Sequence, residues 1–202
     1  DLDYITGPTV PDTSSFDDAR RVMDDFDLWD DFPTSASQYL RNGGDMKETP
    51  KDFGDLPLHS FIIVPGDAAC VGAYERAKEL GFSSVILTSM LQGEAAEAGS
   101  FFAAIAQETL TFERPFPRPC AIIAGGENTV TIGSHQRGMG GPNQEFALSA
   151  GMDIAGLAGT VIVSIDTDGS DGPTDSAGGM VDGTSRAAAL SRGLDPSSAL
   201  RR

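Results

Sequence analysis

From Ser60 onward the chain alternates short apolar runs with stretches of helical period. Phe61-Ile-Ile-Val64 reads as a strand, Pro65-Gly66-Asp67 as a turn, and residues 68–80 as a helix that Gly81 stops. Ser84-Val-Ile-Leu-Thr88 is the next strand and residues 92–109 the next helix. Such a βαβα rhythm predicts parallel strands joined by crossover helices, and with it an α/β fold: a three-layer α/β/α sandwich around a mostly parallel or mixed sheet. Further on, Ala121-Ile-Ile-Ala124 is a strand that runs through two glycines and out along Thr129–Ile132. A helix is expected from Pro142 through Phe146-Ala-Leu-Ser-Ala150, and Val161-Ile-Val-Ser-Ile165 reads as a buried strand. Gly178–Val181 is a short strand, and Thr184 should cap a helix over Ser185–Ser191 that Gly193 ends.

The first 57 residues differ. Residues 1–13 are kept irregular by Pro and Gly, and Ser14 is the expected N-cap of a helix with Ala19, Val22, Met23 and Phe26 on one face. A second helix is expected from Pro33 to Leu40, closed by Asn42-Gly43-Gly44, with a polar connection over residues 45–57. The pattern therefore divides the chain into 1–57, 58–118 and 119–202.

Charge narrows the partners. The formal net charge is −16 with a pI near 4.2, which repels nucleic acid and anionic membranes alike. Three lysines stand against eleven arginines, a lysine-poor acidic surface that suggests a saline habitat. The melting temperature should then rise in molar KCl; a value unchanged or lowered by the salt would remove the idea. Cys70 and Cys120 sit in apolar contexts with no Cys-x-x-Cys or Cys/His cluster, so buried thiols and a reducing, cytoplasmic setting are expected. No apolar run approaches the ~18 residues of a membrane span, and no signal peptide is evident. The chain starts at Asp1 without Met and ends in Arg-Arg, so both ends read as cuts.

Three stretches carry candidate chemistry. After the 161–165 run, Asp166, Asp168, Asp171 and Asp175 crowd into a loop that Gly169, Gly172 and Pro173 force to turn. Carboxylates so close are comfortable only splayed into water or gathered around a cation, for which Mg²⁺ is the natural candidate. An EF-hand fits poorly, since Asp171 stands where the sharp turn needs Gly and Ala177 where the bidentate Glu belongs. Arg137-Gly-Met-Gly-Gly-Pro-Asn143 feeds a helix N-terminus. Free amides there, with the charge of Arg137, make either an anion cradle for phosphate or carboxylate, or simply a glycine-rich surface loop. Gly125-Gly126-Glu127 ends a strand, and two readings stand: glycines that admit a ligand beside a basic Glu127, or a hairpin turn with a solvated Glu. His59 and His135 read as surface histidines.

Taken in order, Gly7-Pro-Thr-Val-Pro-Asp12, Gly93-Glu94-Ala95, Gly125-Gly-Glu-Asn-Thr-Val-Thr131, Gly140-Gly-Pro-Asn-Gln-Glu145 and Thr167-Asp-Gly-Ser-Asp-Gly-Pro-Thr-Asp175 with Val181-Asp-Gly183 resemble the class II glycerate 2-kinase family. Its members are often labelled hydroxypyruvate reductase, and their C-terminal part is known as the MOFRL domain. The resemblance implies a two-lobed enzyme phosphorylating D-glycerate from ATP with Mg²⁺ in the cleft between lobes. It further implies that this chain continues from a missing N-terminal lobe and stops short of the MOFRL end. Asp168 and Asp171 would then hold Mg²⁺. Gly125, Gly126, Arg137, Gly138, Gly140, Gly141 and Asn143 would contact phosphate or the glycerate carboxylate, and Glu127 or Asp168 would orient the attacking hydroxyl. Glycerate and ATP are the implied partners, and a homodimer is compatible with the family. Many relatives have Arg where Pro142 and Ala96 stand here; Arg137 could replace the first.

Overall fold

The computed structural model describes residues 9–43, 48–59, 61, 63–132 and 138–200. The chain divides into two units, residues 1–63 and 64–202.

The first unit is built on α1 (Phe16–Asp25) and α2 (Thr34–Asn42). The N-cap of α1 is Ser15, one residue later than the sequence suggests, because Ser15 and Asp18 form a reciprocal capping box. Ser14 bonds Asp12 instead. Of the expected apolar face, Met23 is buried while Val22 and Phe26 are exposed. The helices meet through Phe16 and Tyr39, with ring centroids 5.5 Å apart, and through Arg20, whose guanidinium donates to the Leu40 carbonyl at 2.9 Å. Hydroxyl and backbone donors from Thr49 and Ser14 lower the pKa of Asp12 to about 2.

The second unit opens with α3 (Ala68–Glu79), β1 (Ser83–Leu91), α4 (Ala95–Phe112) and β2 (Cys120–Gly126). As expected of a crossover unit, β1 and β2 are parallel, in register from Ser83 opposite Cys120 to Leu91 opposite Gly126, and α3 packs on both. Then follow α5 (Pro142–Asp153), β3 (Val161–Ile165), β4 (Gly178–Asp182), α6 (Ser185–Ser191) and α7 (Pro196–Ala199). β3 and β4 pair antiparallel, so the sheet content of this α/β unit is mixed and lies in two separate pairs. α3, α5 and α6 start where the sequence reading puts them; α4 begins only at Ala95 because Gly93 has φ +102° and Glu94 is extended.

What ties these pieces together is the contact between α4 and α5. A Cβ on Gly99 would lie 2.3 Å from the Phe146 carbonyl oxygen, so the two backbones touch. Ser149 donates to the Ala96 carbonyl at 2.8 Å, its Oγ lies 3.1 Å from that of Ser100, and Gln107 bonds the Asp153 carbonyl at 2.9 Å. Residue numbers rise together along both helices, which therefore run parallel with their N-termini at one end. The core follows the same seam: Ala95, Ala98 and Phe146 at one end, and Ala103, Ala150 and Ile154 at the other, with Ile162 of β3 packed against both groups. Residues 58–118 and 119–202 consequently share one core from Val64 on, and no division falls between them. Replacing Gly99 by Val should destabilise the unit by about 1–3 kcal/mol, the usual cost of overpacking, read as a lowered urea midpoint.

Two strand expectations need correction. Phe61, Ile63 and Val64 form no strand; they are exposed, and no neighbour among the described residues supplies the ladder hydrogen bonds a strand requires. The 161–165 strand is real but half covered. Ile162 and Ser164 face inward toward α5, whereas Val161, Val163 and Ile165 are 61%, 52% and 62% exposed. An antiparallel pair has two faces, and α5 covers only one.

Candidate functional site

The parallel strands β1 and β2 end side by side, and in open α/β sheets ligands gather beyond the carboxyl ends of such strands. Gly126, at φ +150°, is pressed so closely on β1 that a Cβ would lie 2.1 Å from the Leu91 carbonyl oxygen. A Cβ on Gly125 would lie 2.6 Å from the Cys70 sulfur. Both glycines are thus required by the protein's own packing. The chain beyond them makes no hairpin with β2: Glu127 donates its N–H to Leu91 at 2.9 Å, Thr129 donates to Gly93 at 2.9 Å, and Thr129 bridges Glu94 in parallel. Glu127 is left exposed at the tip.

Glu94, quoted in the sequence only as part of a motif, is the residue that fastens this corner. Its carboxylate accepts from the Thr131 hydroxyl at 2.7 Å, the Thr131 N–H at 3.0 Å and the Thr129 hydroxyl at 3.3 Å. The Thr131 hydroxyl and then its N–H hold the Glu94 pKa below the ordinary carboxylate range.

The glycine segment and the acidic loop also meet. The loop of residues 166–177 joins β3 to β4, and Gly141 packs on Asp171 so tightly that a Cβ would lie 2.4 Å from its Oδ1. Asp171 is fully buried. Its Oδ1 accepts from the N–H and side-chain amide of Asn143 at 3.0 and 3.1 Å; its Oδ2 accepts from the N–H and side-chain amide of Gln144 at 2.8 and 3.0 Å. Burial alone would raise the pKa of this carboxyl, but the backbone N–H groups of Gln144 and Asn143, helped by both side-chain amides, outweigh it and hold the net value low. The helix N-terminus offered by the sequence as an anion cradle is therefore filled by the chain's own carboxylate, that of Asp171.

That finding corrects two expectations. A carboxylate has about four lone-pair sites, and all four of Asp171's are taken by amides, so it has none to direct at Mg²⁺. Asn143 is committed too: besides its two bonds to Asp171, its Oδ1 accepts from Ser164 of β3 at 2.6 Å. With no N–H on Pro142 and the Glu145 N–H bonded to Gly141 at 3.0 Å, the first turn of α5 keeps no free amide for a phosphate. Asn143 and Gly141 are thus parts of the clamp. Among the described residues no atom lies within 4 Å of where a Cβ on Gly138 or Gly140 would stand, while the Gly140 carbonyl packs on Gly172. Arg137 and His135 lie outside the described residues, while His59 is exposed.

Asp168 is exposed at the loop's turn, its Oδ1 accepting from the Ser170 N–H at 2.9 Å. No three His, Cys, Asp or Glu side chains converge on a metal position among the described residues. A Mg²⁺ that keeps several waters and takes phosphate oxygens needs only one or two carboxylates, and Asp168 suits that donor set; a protein cage does not form here. Cys70 is a buried free thiol, and Cys120 is a half-buried free thiol whose pKa is pushed up by burial.

Residues 120–202 match the MOFRL family. A glycerate 2-kinase from Pyrococcus horikoshii is 43% identical over 97% of this chain and 44% of its own length. A protein from Agrobacterium vitis, under the name hydroxypyruvate reductase, is 37% identical over 99% of this chain and 50% of its own. The crystal structure of glycerate kinase from Thermotoga maritima superposes with a TM-score of 0.72 at 38% identity, over 99% of this chain and 46% of that one. The chain thus spans about half the length of the relatives it matches. Residues 120–202 match the MOFRL family, and the chain as a whole is similar to part of longer proteins that carry the name glycerate 2-kinase.

Proposed function

We propose that the protein to which this chain belongs transfers the γ-phosphoryl group of ATP to D-glycerate, giving 2-phosphoglycerate. The observation that carries this reading is 43% identity, along almost the entire chain, to a protein named glycerate 2-kinase. The geometry supports it: glycines with open space where a Cβ would stand, an exposed Asp168 and the strand-end Glu127 belong to segments anchored on one framework of β1, β2 and the α5 N-terminus. Phosphoryl transfer asks little covalent chemistry of a protein and much positioning, which suits rigidly anchored loops. Bound Mg²⁺ would neutralise charge on the transferred group, with Asp168 as its carboxylate contact. Amides near Gly138 and Gly140 would face phosphate or the glycerate carboxylate.

The reductase name of the Agrobacterium relative favours a second reading, reduction of hydroxypyruvate by a nicotinamide cofactor. This chain contains no Gly-x-Gly-x-x-Gly fingerprint to support it. One experiment separates the two. The full-length protein should consume ATP in the presence of D-glycerate and Mg²⁺ and leave NADH untouched by hydroxypyruvate; the opposite pattern overturns the kinase reading. No helix among the described residues is long and apolar enough to cross a membrane, and the free thiols suit a cytoplasmic enzyme. Homodimer formation belongs to the same proposal and is read by sedimentation.

A further inference from the structure

Beside the clamp lies a carboxylate that closes the Gly140–Glu145 motif and that the site above leaves without a role. Glu145 stands in the first turn of α5, one helical turn before Ser149, and so on the same stripe of the helix. Ser149 rests on the Ala96 carbonyl in the first turn of α4. Because the two helices run parallel, the step of about 5.4 Å from Ser149 back to Glu145 carries the stripe to the N-cap of α4, which is Glu94. Helical side chains lean toward the N-terminus, so Glu145 leans toward Glu94, which follows the carboxyl end of β1.

The two carboxylates live in opposite surroundings. Glu94 is fastened by Thr129 and Thr131, whereas Glu145 is half-buried and accepts no hydrogen bond among the described residues. Burial first, then the charge of Glu94, pushes the Glu145 pKa above its ordinary value. Among the described residues Glu94 is the charged group that faces it; Thr129 and Thr131 beside Glu94 are neutral, and Asp171 binds the amides of Asn143 and Gln144. Two carboxyls held apart in this way are the usual arrangement for acid–base work near neutral pH.

Resting on the kinase reading, we propose that Glu145 accepts the proton of the attacking glycerate hydroxyl, with the fastened Glu94 beside it as a positioning residue. The hydroxyl oxygen forms a bond to the γ-phosphorus. The bond from that phosphorus to the β–γ bridging oxygen breaks, its electron pair leaving on ADP. The hydroxyl proton passes to the Glu145 carboxylate and from there to water. Glu127, which the sequence puts forward for this task, is exposed at the strand tip, where water competes for the same proton.

The test uses the full-length enzyme, first assayed with ATP and D-glycerate. Glu145→Gln is expected to lower kcat about a hundredfold or more, the range of a lost general base. Its melting temperature at pH 7 should be unchanged or higher, since an ionised carboxylate that burial disfavours has been removed. Glu145→Asp should retain more activity than Glu145→Gln. Glu94→Gln, which removes the facing charge, should move the acidic limb of kcat/KM to lower pH. Should Glu145→Gln fold and keep activity within threefold, or lose stability and activity together, the role is wrong. If Glu145→Gln does not fold, an acidic limb unmoved in Glu94→Gln is enough to discard it. A wild-type enzyme without glycerate kinase activity would overturn the function itself, a result distinct from all of these.

Discussion

Asp171→Ala is expected to lower the stability of the second unit by about 3–5 kcal/mol, since several hydrogen bonds to a charged acceptor, each worth about 1.5–3 kcal/mol, are lost at once and are not additive. Four N–H groups of Asn143 and Gln144 would lose their acceptor inside a site where Asp171 is fully buried, and water would refill it only in part. For a domain of this size the melting temperature should fall by roughly 10 °C or more. Asp171→Asn should recover little of it, because an amide NH₂ would meet the N–H donors of one of the two neighbours. The pH dependence provides a second check. The folded Asp171 has a pKa below its unfolded value, so its stabilisation is complete above the ordinary Asp pKa of about 3.9 and is lost as pH falls through the lower, folded value. The wild-type protein should therefore lose stability below about pH 4 more steeply than Asp171→Ala. Equal urea midpoints for wild type and Asp171→Ala at pH 7 would show that the clamp carries no weight.

Asp168→Asn in the full-length enzyme is expected to cut turnover at least about a hundredfold, as removal of a charge-stabilising group does. The fold should hold, because among the described residues the Asp168 side chain accepts a hydrogen bond from the Ser170 N–H at 2.9 Å, which needs only an oxygen acceptor that Asn retains. The two aspartates thus separate cleanly: position 171 should change stability and position 168 the rate. Activity of Asp168→Asn within twofold of wild type, at an unchanged melting temperature, would remove Asp168 from the site.

Much of the architecture could be read along the chain because it follows from local period. The helix from Ala68, the strand after Gly81, the crossover helix and the strand from Cys120 each rest on runs of apolar residues punctuated by Gly or Pro, and such signals survive whatever they pack against. Where the sequence misled, the missing quantity was a neighbour. Phe61–Val64 has the composition of a strand but no described partner to form a ladder, and the 161–165 run looks buried although only one of its faces is covered.

At the site the division is sharper. The sequence by itself determined that an acidic turn, a glycine segment and a helix N-terminus would occur, since these depend on residues next to one another in the chain. The net charge of −16, which repels nucleic acid, is likewise a property of the sequence alone. Only the tertiary structure decided which carboxylate meets which amides. Asp171 lies 28 residues from Asn143, and Glu94 lies 37 from Thr131. Spacing cannot tell an aspartate that closes a helix from one that faces a cation, because both want the same turn-forming neighbours. The difference arises when β3 and β4 pack on α5 and bring the acidic loop that joins them over its first turn. Asp171 is then dry and saturated with donors, while Asp168, three residues away, stays in water.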